Sequence, residues 1–548
     1  MGTNKENPAF GRHAGLLKGT VILGSAAMLS KLIGTMQKIP LQNLAGDSVF
    51  GIYNAVYPFY TLLLFVASAG LPVAVSTFVS ERYARRQYAE ARKIFRLALG
   101  ILTATGVIFF LLLYFGAGTI ADFIGVPATE PAIRSISFAL LIVPAMSVFR
   151  GYFQGLQNML PTAVSQVAEQ CVRVVTMILL LFYLTGAGYD DSDVAAGATF
   201  GSVTGAAAGL IVMVVFWTVY LRSEPKYAKQ AETMTAAPVL IRQFAAYALP
   251  VCLGSIVLPM LTIVDTFTMP RLLQERTGSD ISAMEQFGLY NHGMPLVQLV
   301  TMMAASMAAV LVPSVAAAKE LKQVSLIRRR TDLALRLSWL VSLAAAFGLA
   351  VTAVPMNVMF YKSAEGSSTM AILAFVSIFG TLNIVSASIL QGFGAVKAPA
   401  VHMLAAAAVK VAGNVLLIPM WGIDGAAAAA VLAFFVAGAL NMLKIRRYTG
   451  TVFSLKANLP KPLLAVTAMC AAIVIYMYSC RVILDWLVPA VPDRLGATVV
   501  ALGAVSVGVI VYPAALLRLE ASISDDLKLL PHFDSRIRPW LVRLRLVR

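Results

Sequence analysis

The chain has 548 residues, of which 59% are hydrophobic and 13% charged, with a formal net charge of +17 and a mean hydropathy of +0.80. A soluble chain of this length would form several domains with far more charge. Its apolar residues instead fall in blocks of about 20, the length that crosses ~30 Å of hydrocarbon at 1.5 Å per residue, and the lack of strand-length alternation argues against a membrane β-barrel.

In chain order, the blocks predict about fourteen transmembrane helices near 17–41, 50–80, 97–118, 132–153, 161–184, 194–221, 243–269, 287–317, 333–361, 369–391, 398–420, 423–443, 462–480 and 496–517. The polar, basic stretch 1–18 precedes a span interrupted by Lys31 and Lys38, which fits an uncleaved first helix better than a signal peptide. With the N-terminus inside, 33 of the 43 Lys and Arg residues fall in cytoplasmic segments, 5 in outer loops and 5 in or beside spans. Such a loop-by-loop alternation supports fourteen spans, both termini in the cytoplasm and a plasma-membrane location. It also makes orientation, not nucleic acid, the reading of the positive charge.

An internal repeat runs through the spans. Phe50-Gly51-Ile52-Tyr53-Asn54 with Pro58 matches Phe287-Gly288-Leu289-Tyr290-Asn291 with Pro295 at an offset of 237, which also carries Gln154-Gly155 onto Gln391-Gly392 and Arg173 onto Lys410. Six spans separate the copies, so they share one orientation. This parallel repeat divides the chain into an N-lobe of spans 1–6 (1–242), a C-lobe of spans 7–12 (243–447), and spans 13–14 with a basic tail (448–548). The FG-x-YN segments either shape a tight outer turn or play a matched role in both lobes, and Asn54 and Asn291 are candidate cavity residues.

Ionisable groups at membrane depth are costly unless they meet water, a partner or a substrate. Lys31 and Lys38, seven residues apart, share a face of span 1; they line a cationic cavity or snorkel to the interface. Glu169 and Arg173, at i and i+4 in span 5, suit a structural pair. Asp265 sits deep in span 7, where it meets a lysine of span 1, binds a coupling ion or packs as a polar residue. His292 opens span 8 as a cavity-rim or interfacial histidine. Cys171, Cys252, Cys470 and Cys480 form no CxxC pair and read as small core residues. The sequence holds no GxxxxGK[ST] loop, metal-ligand cluster or convincing catalytic grouping, so it suggests neither an enzyme nor a cofactor. Any transport would then draw on ion gradients, the membrane potential or the substrate gradient, unless a partner supplies ATP hydrolysis.

Lys18-Gly19-Thr20, Ser30-Lys31-Leu32-Ile33-Gly34, Lys38-Ile39-Pro40, Phe50-Gly51-Ile52-Tyr53-Asn54 and Ala69-Gly70-Leu71-Pro72-Val73-Ala74-Val75-Ser76 together resemble polysaccharide transporters. The similar branch is the Gram-positive one containing the MurJ-like lipid II flippases and stage V sporulation protein B, within the multidrug/oligosaccharidyl-lipid/polysaccharide (MOP) exporter superfamily. The resemblance implies the MATE/MurJ-like all-α fold of two six-helix lobes plus two helices. It also implies movement of an undecaprenyl-pyrophosphate-linked glycan, lipid II first among them, from the inner to the outer leaflet. A cationic cavity lined by spans 1, 2, 7 and 8 is implied, with Lys31 and Lys38 at basic positions of span 1, and a groove by spans 13 and 14 for the lipid tail. Gram-negative members carry an arginine just before the proline of span 8; Tyr290-Asn291-His292-Gly293-Met294-Pro295 has none.

The partners expected are therefore the bilayer, a lipid-linked oligosaccharide and enzymes of wall synthesis. Export of another lipid-linked glycan (capsule, spore cortex or wall polymer), cation-coupled multidrug antiport and a non-transporting scaffold are the competing readings. The charge alternation generates a direct test. Cysteines introduced in 185–193 or 270–286 should react with a membrane-impermeant reagent on intact cells, and those in 81–96 or 319–330 should not. Labelling of either cytoplasmic loop would break the fourteen-span topology.

Overall fold

Hydrocarbon offers no hydrogen bonds, so a chain crossing it satisfies its backbone internally, most simply as helix. A computed structural model describes residues 8–68, 71–223, 236–243, 246, 259–321, 323–450, 459–487 and 492–519, and among them every regular element is helical. Ten helical stretches of the described residues are long and apolar enough to cross a membrane. The chain is an all-α, multi-pass membrane protein. By contact it divides into two compact units, Met1–Gly288 and Leu289–Arg548.

The first unit opens with α1 (Pro8–Met36) and α2 (Lys38–Ser68), followed by α3 (Leu71–Ala84), α4 (Tyr88–Phe115) and α5 (Ala117–Ile124). A 3₁₀ turn at Pro127–Thr129 leads to α6 (Glu130–Ser137), α7 (Ala139–Gly155), α8 (Leu160–Gly186), α9 (Asp191–Ser223) and α10 (Met260–Thr277). It closes in α11 (Asp280–Asn291). The second unit holds α12 (Met294–Glu320), α13 (Val324–Val351), α14 (Ala353–Tyr361), α15 (Ser367–Ala374), α16 (Val376–Gly392), α17 (Lys397–Trp421), α18 (Ile423–Thr449), α19 (Pro460–Leu487) and α20 (Asp493–Leu519).

The ten apolar stretches coincide with spans 3–6 and 9–14 of the sequence reading. Helices of spans 1, 2, 7 and 8, outside that set, are also interrupted. Gln37 separates α1 from α2, Gly46 inside α2 adopts φ 83° and ψ 178°, and Pro58 and Pro270 lie inside α2 and α10. His292 and Gly293 separate α11 from α12. Prolines and glycines are the usual causes of such bends. The start of span 7 with Cys252, Ala69 and Gly70 of the span-2 motif, and the tail beyond Leu519 lie outside the described residues. So do 1–7, 224–235, 451–458 and 488–491, which fall in the expected loops.

Helix boundaries carry the repeat further than the sequence matches do. Shifted by 237, α6 becomes Ser367–Ala374 and α7 becomes Val376–Gly392, the bounds of α15 and α16, and α8 begins where α17 begins. The paired hairpins use the same packing device with different residues. In the first unit α9 presents Gly197, Gly201, Gly205 and Gly209 at four-residue spacing, and a Cβ on Gly205 would lie 2.6 Å from the Glu169 carbonyl oxygen of α8. In the second, α18 presents buried Ala426, Ala429, Ala430, Ala433 and Ala437. Small residues let helices approach where lipid supplies no hydrophobic drive.

Spans 13 and 14 are bound to the second unit. Val466, Met469 and Ile473 of α19 and Ala504 and Tyr512 of α20 share a core with Trp339, Leu343 and Ala346 of α13. The Tyr512 hydroxyl donates to the Leu340 carbonyl at 2.8 Å. Of the cysteines expected in the core, Cys171 is exposed on α8, while Cys470 and Cys480 are half-buried.

The FG-x-YN segments meet each other. A Cβ on Gly51 of α2 would fall on the carbonyl of Met284 in α11, and one on Gly288 would fall on the carbonyl of Asp47. Positions 47 and 284, like 51 and 288, differ by the repeat offset, so the contact is a pseudo-two-fold crossing in which each glycine admits the backbone of the other copy. Since neither carbonyl can move aside cheaply, Gly51→Ala or Gly288→Ala should destabilise the protein by about 1–3 kcal/mol, the usual range for overpacking. Unfolding temperature in detergent measures this; an unchanged temperature in both variants would show that the crossing is loose.

Candidate functional site

The first unit gathers its polar side chains on α1, α2, α7 and α8. At the α1–α2 junction the Lys38 ammonium donates to Asn54 Oδ1 at 2.7 Å, and the Asn54 amide donates to the Phe50 carbonyl at 2.7 Å. Those two bonds fix which way the amide points. Two candidates chosen separately from the sequence are thus one pair, formed because the repeat motif starts span 2 one turn past the Gly46 bend. Lys31, one helical heptad earlier, is exposed and makes no hydrogen bond or ion pair with any described residue. The structure separates the two lysines by helix and by environment: Lys31 is exposed on α1 and Lys38 half-buried on α2.

Behind Lys38 runs a ladder of rings. Gln37 Nε2 donates to the Tyr53 hydroxyl at 3.3 Å; Tyr53 and Tyr57 stack at 5.6 Å and Tyr60 follows at 5.9 Å. The ladder ends on a buried charge cluster. Arg173 donates to the Tyr57 hydroxyl at 3.3 Å and to Glu169 Oε1 at 3.2 Å. Arg150 of α7 donates to the other carboxylate oxygen at 2.9 Å and to Ser165 Oγ at 2.8 Å, and the Ser165 hydroxyl donates to the Gly209 carbonyl at 3.0 Å. Side-chain exposures of 14%, 11% and 7% for Arg150, Glu169 and Arg173 put all three out of solvent.

The expected Glu169–Arg173 contact is present, but it is part of a triad. Arg150 is absent from the sequence-level candidates because, at the cytoplasmic end of the predicted span 132–153, it counts as a loop charge; it lies inside α7, bonded across to α8. Its flanks, Ser147-Val148-Phe149 and Gly151-Tyr152-Phe153, were the available signal. Two guanidiniums on one carboxylate leave the cluster a net positive charge. Asp265 is 3% exposed on α10. Phe267, two residues on, packs edge-on against Phe59 of α2 at 5.0 Å.

In the second unit His292 is fully buried at the α11–α12 break, not at a rim. Its Nδ1 lies 2.9 Å from Asn357 Oδ1, while the Asn357 amide donates to the Glu365 carbonyl at 2.6 Å and to Ser367 Oγ at 3.1 Å. The amide nitrogen being so used, Oδ1 accepts and His292 Nδ1 carries the proton. The Tyr361 hydroxyl donates to the His292 carbonyl at 3.2 Å and the two rings stack at 3.9 Å. Asn291 is also buried. A second cluster escaped the sequence reading: His402 Nδ1 meets Asn441 Oδ1 at 2.7 Å, and the Asn441 amide donates to Asn383 Oδ1 at 2.9 Å. Lys410, at the repeat position of Arg173, is buried on α17. Among the described residues no group of histidine, cysteine or acidic side chains is arranged to hold a metal ion.

The model of a family described as "Polysaccharide biosynthesis protein" matches residues 16–319. Among curated proteins, the "Uncharacterized membrane protein YabM" of Bacillus subtilis (strain 168) is 29% identical over 96% of this chain and 96% of its own length. The "Lipid II flippase MurJ" of the same organism is 27% identical over 91% and 94%. Among solved structures, "Lipid II flippase MurJ, inward closed conformation" superposes with a TM-score of 0.64 at 13% identity, covering 92% of this chain and 98% of that one, which establishes a shared fold.

The triad makes an ordered prediction. Glu169→Ala strands two guanidiniums and should destabilise by about 3–5 kcal/mol. Arg150→Ala leaves a neutral Glu169–Arg173 pair and should cost about 1–3 kcal/mol. Thermal unfolding of the purified variants checks the order, and a larger loss in Arg150→Ala would contradict the charge count.

Proposed function

Because the chain belongs to the polysaccharide biosynthesis protein family, we propose that it is a flippase. It carries an undecaprenyl-pyrophosphate-linked glycan, lipid II in the leading reading, from the inner to the outer leaflet of the plasma membrane by alternating access. Both termini face the cytoplasm in this reading, spans 1–6 and 7–12 serve as its two lobes, and wall-synthesis enzymes receive the product. It is a transporter, not an enzyme.

The observation that carries this is the contrast between two kinds of buried or half-buried cation. Arg150 and Arg173 are tied to a carboxylate, whereas Lys38 is held by a neutral amide. A hydrogen bond between ions is roughly twice as strong as one between neutral groups, so a pyrophosphate displaces Asn54 from Lys38 far more readily than it displaces Glu169 from either arginine. Lys38, with Lys31 seven residues earlier, is the exchangeable charge; the triad is a fixed positive background. With the interior negative, outward movement of the anion gains ~2.3 kcal/mol per charge per 100 mV, and the return of an empty positive site is favoured as well. Another glycan on the same carrier is the second reading, since the relative at 29% identity has no substrate in its description.

Expression in cells depleted of their lipid II flippase tests this. The wild-type chain should restore growth and outer-leaflet lipid II. Lys38→Ala should slow flipping roughly tenfold to a hundredfold, the worth of one hydrogen bond to a charged group, and Lys38→Arg should keep part of the rate. An unchanged rate in the double variant Lys31→Ala, Lys38→Ala would sink the cationic-site mechanism. Failure of the wild-type chain to complement would favour the second glycan reading.

A further inference from the structure

A groove of about 420 Å³ opens between α1 and α8, lined by Ile22 and Ala26 on one side and Leu160, Val164 and Val167 on the other, and every described side chain lining it is aliphatic. Deeper in the membrane the same interface turns polar. Ser30 and Gln37 continue the face of Ile22 and Ala26 at helical spacing; they are 9% and 4% exposed. Among the described residues Ser30 Oγ and Gln37 Oε1 find no hydrogen-bond partner, nor do the buried Oε1 atoms of Gln166 and Gln170 on α8. The Gln170 oxygen faces α1, 3.2 Å from where a Cβ on Gly34 would stand. Unpaired polar atoms in hydrocarbon are costly, and these line one interface.

The order of the two zones identifies the occupant. Leu160 follows the cytoplasmic turn, and Gln170 lies ten residues on, about 15 Å up the helix and so about halfway through a ~30 Å core. A resting phospholipid in the inner leaflet has its polar group at the surface and its chains pointing to the midplane. This interface has the reverse polarity, aliphatic toward the cytoplasm and polar at depth. It suits an amphiphile whose headgroup has been drawn to mid-membrane while its chain trails behind in the inner leaflet.

We propose that the α1–α8 groove seats the polyprenyl chain of the transported lipid during transfer, and that Ser30, Gln37 and Gln170 receive hydroxyl or amide N–H groups of its glycan. The inference rests on the flippase reading and adds to it a seat in the first unit, apart from spans 13 and 14.

The test uses purified full-length protein in phosphatidylglycerol–phosphatidylethanolamine vesicles carrying a small fraction of undecaprenyl-pyrophosphate-linked disaccharide. Val164→Trp fills the groove and should slow transfer roughly tenfold, equivalent to about 1.4 kcal/mol, while Leu179→Trp, at a position 63% exposed farther along α8, should not. A photoreactive benzophenone residue at Val164 should capture the prenyl lipid well beyond its share of the bilayer, and one at Leu179 should capture lipids in proportion. Transfer by the wild type that Val164→Trp leaves unchanged overturns the groove and spares the flippase. If the wild type moves no prenyl lipid, the flippase reading fails, and the capture ratio at Val164 still decides the groove. Proportional capture there overturns it, including where Val164→Trp is inactive because it misfolds.

Discussion

A guanidinium in hydrocarbon has to find its acceptors within the protein, and the first unit is organised around that demand. Glu169 takes one arginine from its own helix and one from α7, Ser165 absorbs a further donor, and the glycines of α9 let its backbone lie against the same stretch of α8. Remove the carboxylate and three helices lose their common reason to meet. The tyrosine ladder then connects this cluster to α2, so that the position of Lys38 is set at one end by Asn54 and at the other by charges two helices away. The site is held by a few strong polar contacts because, between helices already bathed in lipid, apolar contact supplies little preference.

The repeat shows how much a duplicated fold keeps. Helix boundaries are kept to the residue across 237 positions in α6, α7 and their copies, and so is the glycine crossing near the outer turn. Charge chemistry is not. Arg173 recurs as Lys410, but the copy of Glu169 is Ala406 and that of Arg150 is Ala387. In its place the second unit builds neutral clusters from Asn383, His402 and Asn441 and from His292, Asn357 and Tyr361.

Much of the fold was legible in the sequence because its signals are additive. Apolar length, loop charge and the repeat offset each average over many residues, and they fail together only if a span is missed. The site was less legible because each of its features depends on one contact. Lys38 and Asn54 were both visible as candidates, yet nothing in their spacing states that a bend at Gly46 brings them to 2.7 Å. Arg150 was hidden by the charge-counting rule itself, which treats a basic residue beside a turn as a loop residue. Asp265 was legible only as a deep acid, because sequence gives depth and not azimuth; the structure adds that it is buried on α10. His292 was open in the same way, since a polar residue at a predicted helix start is as compatible with full burial as with an exposed rim.

The same physics explains why a flippase would spread its cations over three environments. A cation fixed to a carboxylate holds structure and contributes a constant potential, but it has no free valence for a substrate. One with no described partner, such as Lys31, keeps its hydration only if it stays at a surface, so it attracts an anion without enclosing it. Lys38 is intermediate: its amide partner lowers the cost of burial, yet exchanging that partner for phosphate gains a charge–charge bond and leaves behind only a neutral amide. Binding is then favourable when the anion arrives, and release is not opposed by a stranded charge when it leaves. A carboxylate at position 54 would abolish that balance, holding the lysine closed to substrate, and an aliphatic residue there would leave the empty site with an unpaired ammonium in hydrocarbon. An asparagine is the side chain that permits both halves of a cycle.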